Sequence, residues 1–460
     1  MTFATVLRSF AVVLLAATAW PQVADRRPLT IQDAVALSDK FPSVEASQEQ
    51  VNAAAAGIRK ARTNYLPSVN AVGQINRATR NNVFGLLFPQ GVIPNISGPV
   101  LGTDNGRNVW GSAVGALISW EPFDFGRRRA LLESAQASQN RARLTTRRTR
   151  FESETTSAAA FLTLLASEQT VRGAKAAVDR AQVLVRSVKA SVDARLRPGA
   201  DLSRADTELD ASETQLVRAE QSVAVAKISL AEFTGIDAKK IVAAPGSLLD
   251  LPSEQPDAMA DLAKNPSAEE QAGVIEESRA RLGVLQRTYR PTFELEASAY
   301  ARGTGALTNG STLGSWNGLG PNYFNVAAGF TVTFPLLSMP SIRAQEAQEA
   351  AMGRSAAATY RQVLADIQAQ SDAAQATLEQ AREIAAETPK EVADARTGFE
   401  QANAQYRAGL TTIVGVAEAQ RLLAQAEIDD SLARLAVWRA LLQIQIAQGD
   451  ISSFLAQASR

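Results

Sequence analysis

Four stretches of the chain alternate strictly between apolar and polar or small residues. Phe293, Leu295, Ala297, Ala299 and Ala301 interleave with Glu294, Glu296, Ser298, Tyr300 and Arg302. Val326, Ala328, Phe330, Val332 and Phe334 interleave with Asn325, Ala327, Gly329, Thr331 and Thr333. In the first half Val69, Ala71 and Ile75 alternate with Asn70, Gln74 and Asn76, and Trp110, Val114, Ala116, Ile118 and Trp120 share one side. Period two predicts strands with one apolar face, over about 66–80, 109–121, 293–303 and 325–336. Trp110 and Trp120 lie ten residues apart on one face; at a tilt of about 45° that span rises roughly 23 Å, close to the apolar band of an outer-membrane barrel. Trp110, Trp120 and Phe334 are therefore candidates for an aromatic girdle. Four strands are too few to close a barrel around a polar lumen, so several chains should contribute. The intervening segments, about 81–108 and 304–324, are rich in Gly, Asn and Pro and fit outward loops.

A second pattern follows each strand pair. Residues 127–194 contain no proline and residues 342–406 contain one, Pro389. A helix of such length spans about 100 Å, more than any globular domain needs. Heptads mark the segments that return: Leu202, Leu209, Leu216, Val223 and Leu230, with Ala205, Ser212, Ala219 and Ala226 between them. The later segment repeats this with Val416, Leu423, Asp430, Val437 and Ile444, and an alanine seam of Ala419, Ala426, Ala433, Ala440 and Ala447. Such heptads specify coiled-coil packing, and the small residues permit close approach. Shorter helices at about 43–64 and 267–288 are expected to stack end to end with the return helices.

The chain is written twice. Lys40, Pro42, Ser43 and Glu45 recur as Lys264, Pro266, Ser267 and Glu269, and Tyr65-Leu-Pro67 as Tyr289-Arg-Pro291. Beyond residue 120 the shift drops to 214, pairing Trp120 with Phe334, Ala205 with Ala419 and Gly235 with Gly449. The organisation expected is a first repeat over 20–243, a connector over 244–256, a second repeat over 257–450 and a tail over 451–460.

Charge adds little, since 47 basic residues balance 47 acidic ones and no net field points to nucleic acid. The chain has no cysteine and no histidine, which excludes disulfides, thiolate metal sites, cysteine nucleophiles and lipid attachment through cysteine. No convergent constellation suggests an enzyme, a metal or a cofactor. Arg8, the apolar run Phe10–Ala19 and the small residues Ala17-Thr18-Ala19 read as a signal peptide over 1–19. No other run is long enough for a spanning helix, so a membrane crossing must use strands. Arg127-Arg-Arg129, directly after the second strand, suits either lipid headgroups or a solvated basic face.

Taken in order, these segments resemble the TolC-like outer-membrane efflux family, from Leu29-Thr-Ile-Gln-Asp-Ala to Ile446-Ala-Gln-Gly. The carriers are the duplicated helix starts, Tyr-x-Pro before each first strand, Trp120-Glu-Pro-Phe-Asp-Phe-Gly126 and Tyr406-Arg-Ala-Gly-Leu-Thr-Thr-Ile-Val-Gly-Val-Ala-Glu-Ala-Gln420. The resemblance implies an α+β membrane protein. Strand pairs and long coiled-coil helices would assemble as a homotrimer with a 12-stranded β-barrel continuous with a 12-helix periplasmic α-barrel. It implies a passive duct of a tripartite efflux or type I secretion system. The implied partners are outer-membrane lipid, a periplasmic adaptor and an inner-membrane pump of RND or ABC type. The implied aperture residues are Glu418, Gly415, Tyr406 and Asp201. Leu410 occupies the basic position of the closing link, leaving Arg195 or Arg407 as basic substitutes. The implied adaptor-contacting tips are Arg195, Arg197 and Gly199 on one turn and Arg407, Gly409 and Leu410 on the other. The alternative, a periplasmic adaptor, also has a long α-hairpin, but needs a β-rich module split around one hairpin, whereas this chain carries two hairpins and four strands.

Overall fold

The computed structural model describes residues 28–79, 108–252, 261–307 and 311–459. The signal peptide, all but residue 108 of the first loop, residues 308–310 of the second, and 253–260 around the connector lie outside the described residues.

Each repeat builds a helix, two strands and one long hairpin, and the first carries the additional short helix α1 in front. The first consists of α1 (Ile31–Ser38), α2 (Pro42–Thr63), β1 (Ser68–Thr79), β2 (Asn108–Phe123), α3 (Arg127–Asp193) and α4 (Gly199–Thr234). The second consists of α5 (Pro266–Leu285), β3 (Thr292–Thr304), β4 (Tyr323–Thr333), α6 (Met339–Arg407) and α7 (Ile413–Gln448). The expected tail is not free. Residues Ser452–Ala458 form α8, with Phe454 buried edge-on against Trp438 at 5.8 Å.

The long helices follow from composition. α3 has 67 residues and α6 has 69, so each runs about 100 Å. Pro389 is tolerated inside α6. Both return helices end on a glycine in the left-handed region, Gly235 at φ 68° and Gly449 at φ 81°, which terminates them without a Cβ penalty. The next helix then begins at each junction. Asn265 caps α5 and donates its side-chain N–H groups to the carbonyls of Ile446 and Ala447, both at 3.0 Å. At the pseudo-equivalent place Phe41, before α2, packs on Phe233 near the end of α4 at 5.1 Å. Short helix and return helix thus run end to end beside their long partner, burying orphan helix termini against each other.

The four strands form one antiparallel sheet in the order β1-β2-β3-β4, with β2 and β3 joining the two repeats. Gly115 permits this join, because a Cβ there would come within 2.3 Å of the Tyr300 Cβ. The outer edges of β1 and β4 have no partner strand among the described residues.

The main core is a belt part-way along the helices. Phe161, Leu162, Leu164 and Leu165 of α3 meet Leu230 of α4, Trp438 and Leu441 of α7, and Leu378 and Ala381 of α6. α1, α8 and the segment around Ile241 and Leu248 wrap this belt. The Trp438 indole N–H donates to the Asp250 carbonyl at 2.8 Å, so the middle of the expected connector is tied down. Among the described residues no helix is long and apolar enough to cross a membrane.

Candidate functional site

Two regions stand out, the sheet at one end of the long helices and the hairpin turns at the other. In the sheet, register decides which side chains share a face. Val69 pairs with Ile118 and Ala71 with Ala116; across the next ladder Ile118 pairs with Ala297 and Trp120 with Leu295; across the last, Leu295 pairs with Phe330 and Ala299 with Val326. Cross-strand partners point the same way, so these residues make one continuous apolar face. The opposite face carries Asn70, Gln74, Ser119, Glu294, Glu296, Ser298, Asn325 and Thr331.

The apolar face is the exposed one. Phe324 is 72% and Val326 70% exposed, while Asn325 and Ala327 between them are half-buried. A soluble sheet turns its apolar side inward, so this arrangement needs an apolar surround.

Trp120 lies on the apolar face, exposed, and its indole N–H donates to the Tyr65 carbonyl at 3.3 Å. Trp110 is half-buried: Trp316 from the loop between β3 and β4 stacks on it at 5.9 Å, and the Arg77 guanidinium lies 5.3 Å from its ring centre. β4 ends at Thr333, so Phe334 stands one residue beyond the strand, exposed. Where β2 gives way to α3, the three arginines separate. Arg128 is buried in an ion pair with Asp124 at 3.0 Å and stacks on Tyr65. It is a structural strut, neither a lipid contact nor a solvated face. Burial alone would raise the Asp124 carboxyl. Hydrogen bonds from the N–H groups of Arg128 and Gly126, with the guanidinium beside them, outweigh it and hold it low. Arg127 pairs with Glu121 at 2.8 Å and Arg129, exposed, with Glu133 at 2.9 Å.

At the far end the two hairpin turns converge. Arg195 at φ 58° and Gly409 at φ 78° occupy equivalent positions and reverse the chain in the left-handed region. Tyr406, only 4% exposed, packs with Leu184, Val188, Ala205, Ile413 and Val416 into a second small core. Its hydroxyl donates to Asp201 at 3.4 Å. Burial, then the Asp201 charge, raise the Tyr406 hydroxyl above its ordinary range. The basic side chain that reaches Tyr406 is Arg197, neither Arg195 nor Arg407, which are both exposed. Its guanidinium lies over the Tyr406 ring at 4.5 Å and donates to the Tyr406 carbonyl at the end of α6. Arg197 thus ties the first hairpin to the second. Its role was not readable from the family pattern, because it sits two residues from the turn apex.

Glu418 is exposed on α7, one turn beyond Gly415, and pairs with Arg421 at 3.3 Å; Arg421 also reaches Glu208 of α4 at 3.3 Å. Gly199 opens α4 with open space where a side chain would stand. Leu196 and Leu410 are 77% and 79% exposed at matching places on the two turns. Leu196 was missed in the sequence, although the shift of 214 that pairs it with Leu410 was available there. Among the described residues no group of acidic side chains could hold a metal ion.

The chain matches the family model for outer membrane efflux proteins over residues 36–236 and 260–450. Among proteins of curated function, none matches it by sequence. Its fold resembles several solved structures. The outer-membrane channel OprN matches at TM-score 0.71 and 18% identity, covering 91% of this chain and 89% of that one. CusC matches at TM-score 0.74 and 14% identity, covering 91% and 92%. The VceC outer membrane protein of Vibrio cholerae matches at TM-score 0.71 and 16% identity, covering 91% and 96%.

Proposed function

The chain belongs to the outer membrane efflux protein family, and from that premise we propose that three copies form one export duct. The family places it in the outer membrane, with the helical part in the periplasm, and the adaptor alternative gains nothing from the fold. The observation that carries the duct is the inverted sheet: an exposed apolar face, a sheltered polar one, and two strand edges without partners among the described residues. Backbone groups at such edges cannot be left unpaired in lipid. Three four-stranded sheets joined edge to edge give twelve strands, a closed barrel with the apolar face toward lipid and the polar face toward a lumen. The long hairpins then continue the wall as twelve helices. Trp120, Trp110 and Phe334 supply the aromatic girdle in this reading.

The tip reading follows from the same symmetry. Tyr406, Asp201 and Arg197 hold the second hairpin against the first and keep the aperture narrow, while Gly415 and Glu418 line it. The exposed leucines Leu196 and Leu410, flanked by Arg195, Gly199, Arg407 and Gly409, present six apolar knobs per trimer. These suit a periplasmic adaptor whose hairpins seat on the tip, with an inner-membrane pump supplying the energy. Purified protein reconstituted in planar bilayers should form discrete conducting channels without a nucleotide or another energy source. Absence of any conductance in correctly inserted protein would refute the duct.

A further inference from the structure

The polar face of the sheet carries its charge unevenly. Glu294, Glu296 and Arg302 of β3 alternate onto this face, and Glu121, in the irregular end of β2, is matched by Arg127. The two glutamates are two residues apart near the strand end that leaves α5, about 7 Å along the strand; Arg302 stands farther up. Glu294 accepts a hydrogen bond from the Ser119 hydroxyl at 2.6 Å. Glu296 lies in register between Ser119 and Gly329. It is 5% exposed, and among the described residues it has neither a hydrogen-bond donor nor an ion-pair partner. A sheltered carboxylate without a partner is costly unless a cation from solution offsets it. The arginines just below the sheet do not serve, since Arg127 is matched by Glu121 and Arg128 by Asp124.

At the tip the balance differs. Glu418 is exposed and shares Arg421 with Glu208, so a single guanidinium offsets one of the two carboxylates in each protomer. The remaining charge stands on exposed side chains, where physiological salt screens it.

We propose that Glu294 and Glu296, repeated in three copies, form a double carboxylate ring at the helix-side mouth of the barrel that selects for cations and cationic cargo. The proposal rests on the closed-barrel reading above. Six carboxylates facing one lumen repel anions and concentrate cations, as charged rings in pores do. The strength comes from geometry: the ring lies on the sheltered face of a rigid sheet, where a neutralising side chain has no place to reach it.

The full-length trimer in planar bilayers under a KCl gradient supplies the test. The parent protein should prefer K⁺ over Cl⁻, and the double variant Glu294→Gln/Glu296→Gln should conduct yet lose most of that preference. Glu296→Gln alone should lose part of it, with Glu296→Asp restoring it, which keeps the test open where the double variant does not assemble. A conducting double or Glu296→Gln variant with an unchanged reversal potential overturns the ring. So does a parent whose preference vanishes in Glu418→Gln alone. A correctly inserted parent that never conducts overturns the barrel reading, and the ring with it.

Discussion

Removing the Arg197 guanidinium should untie the two hairpin tips. In Arg197→Ala the Tyr406 carbonyl loses a charged donor, and the Tyr406 ring loses the cation 4.5 Å above it. A hydrogen bond to a charged group contributes about 1.5–3 kcal/mol and a partly desolvated cation–π contact about 0.5–2 kcal/mol. Taken with some relaxation, the loss is about 2–4 kcal/mol per protomer. The loss falls on local opening rather than global unfolding, because the main core around Trp438 is untouched. Amide exchange over 199–205 and 402–413 should accelerate roughly 30-fold or more, since about 1.4 kcal/mol is a factor of ten. Exchange in the belt around 158–166 should not change. Arg197→Lys should fall between, keeping the charge but losing the planar fork that stacks and donates. Arg195→Ala and Arg407→Ala, both exposed, should leave the tip protected. Unchanged exchange at the tip in Arg197→Ala, or an equal effect from Arg407→Ala, would refute Arg197 as the tie.

Other consequences can be checked separately. Ala426 is buried on the alanine seam of α7, so Ala426→Leu should overpack it by about 1–3 kcal/mol, while Gln425→Leu, exposed beside it, should barely alter the denaturation midpoint. Ala433 is a weaker test than the seam alone implies, because it borders an apolar groove with Ala376, Ala381 and Ile384 that would accept part of the added side chain. Leu196→Asp with Leu410→Asp should abolish capture of the cognate adaptor while leaving channel conductance intact. Burial, then the nearby Asp39 charge, raise the Glu154 carboxyl, with Arg150 opposing. A folded-state value above the unfolded one stabilises below the unfolded value and loses that contribution as pH rises through the folded one. Glu154→Gln should therefore raise the melting temperature near pH 7 and leave it unchanged near pH 4.

Much of this architecture was legible because it rests on repetition and period. The strand alternation survives as a register in which Val69, Ile118, Leu295 and Phe330 share one face. The heptad positions Leu230, Leu423 and Ala440 are buried as their spacing demands. The duplicated Gly235 and Gly449 both end helices in the left-handed region. What escaped was decided by contacts distant in sequence. α8 reads as a tail because seven residues carry no period, yet Phe454 finds Trp438. Arg128 reads as part of a basic run, and only the fold brings Tyr65 over it. Arg197 is one arginine among three in two turns, and its role depends on α6 ending where its side chain can reach. Trp110 has the period of a belt residue, but the period says nothing of Trp316, which the loop after β3 stacks on it.

The central claim is that four strands per chain are an incomplete barrel that three chains complete. Light scattering on the detergent-solubilised protein, corrected for bound detergent, measures this directly. The account predicts a monodisperse particle of three copies. A monodisperse, correctly folded monomer would contradict it, because its strand edges and polar lumen face would then have no closure at all.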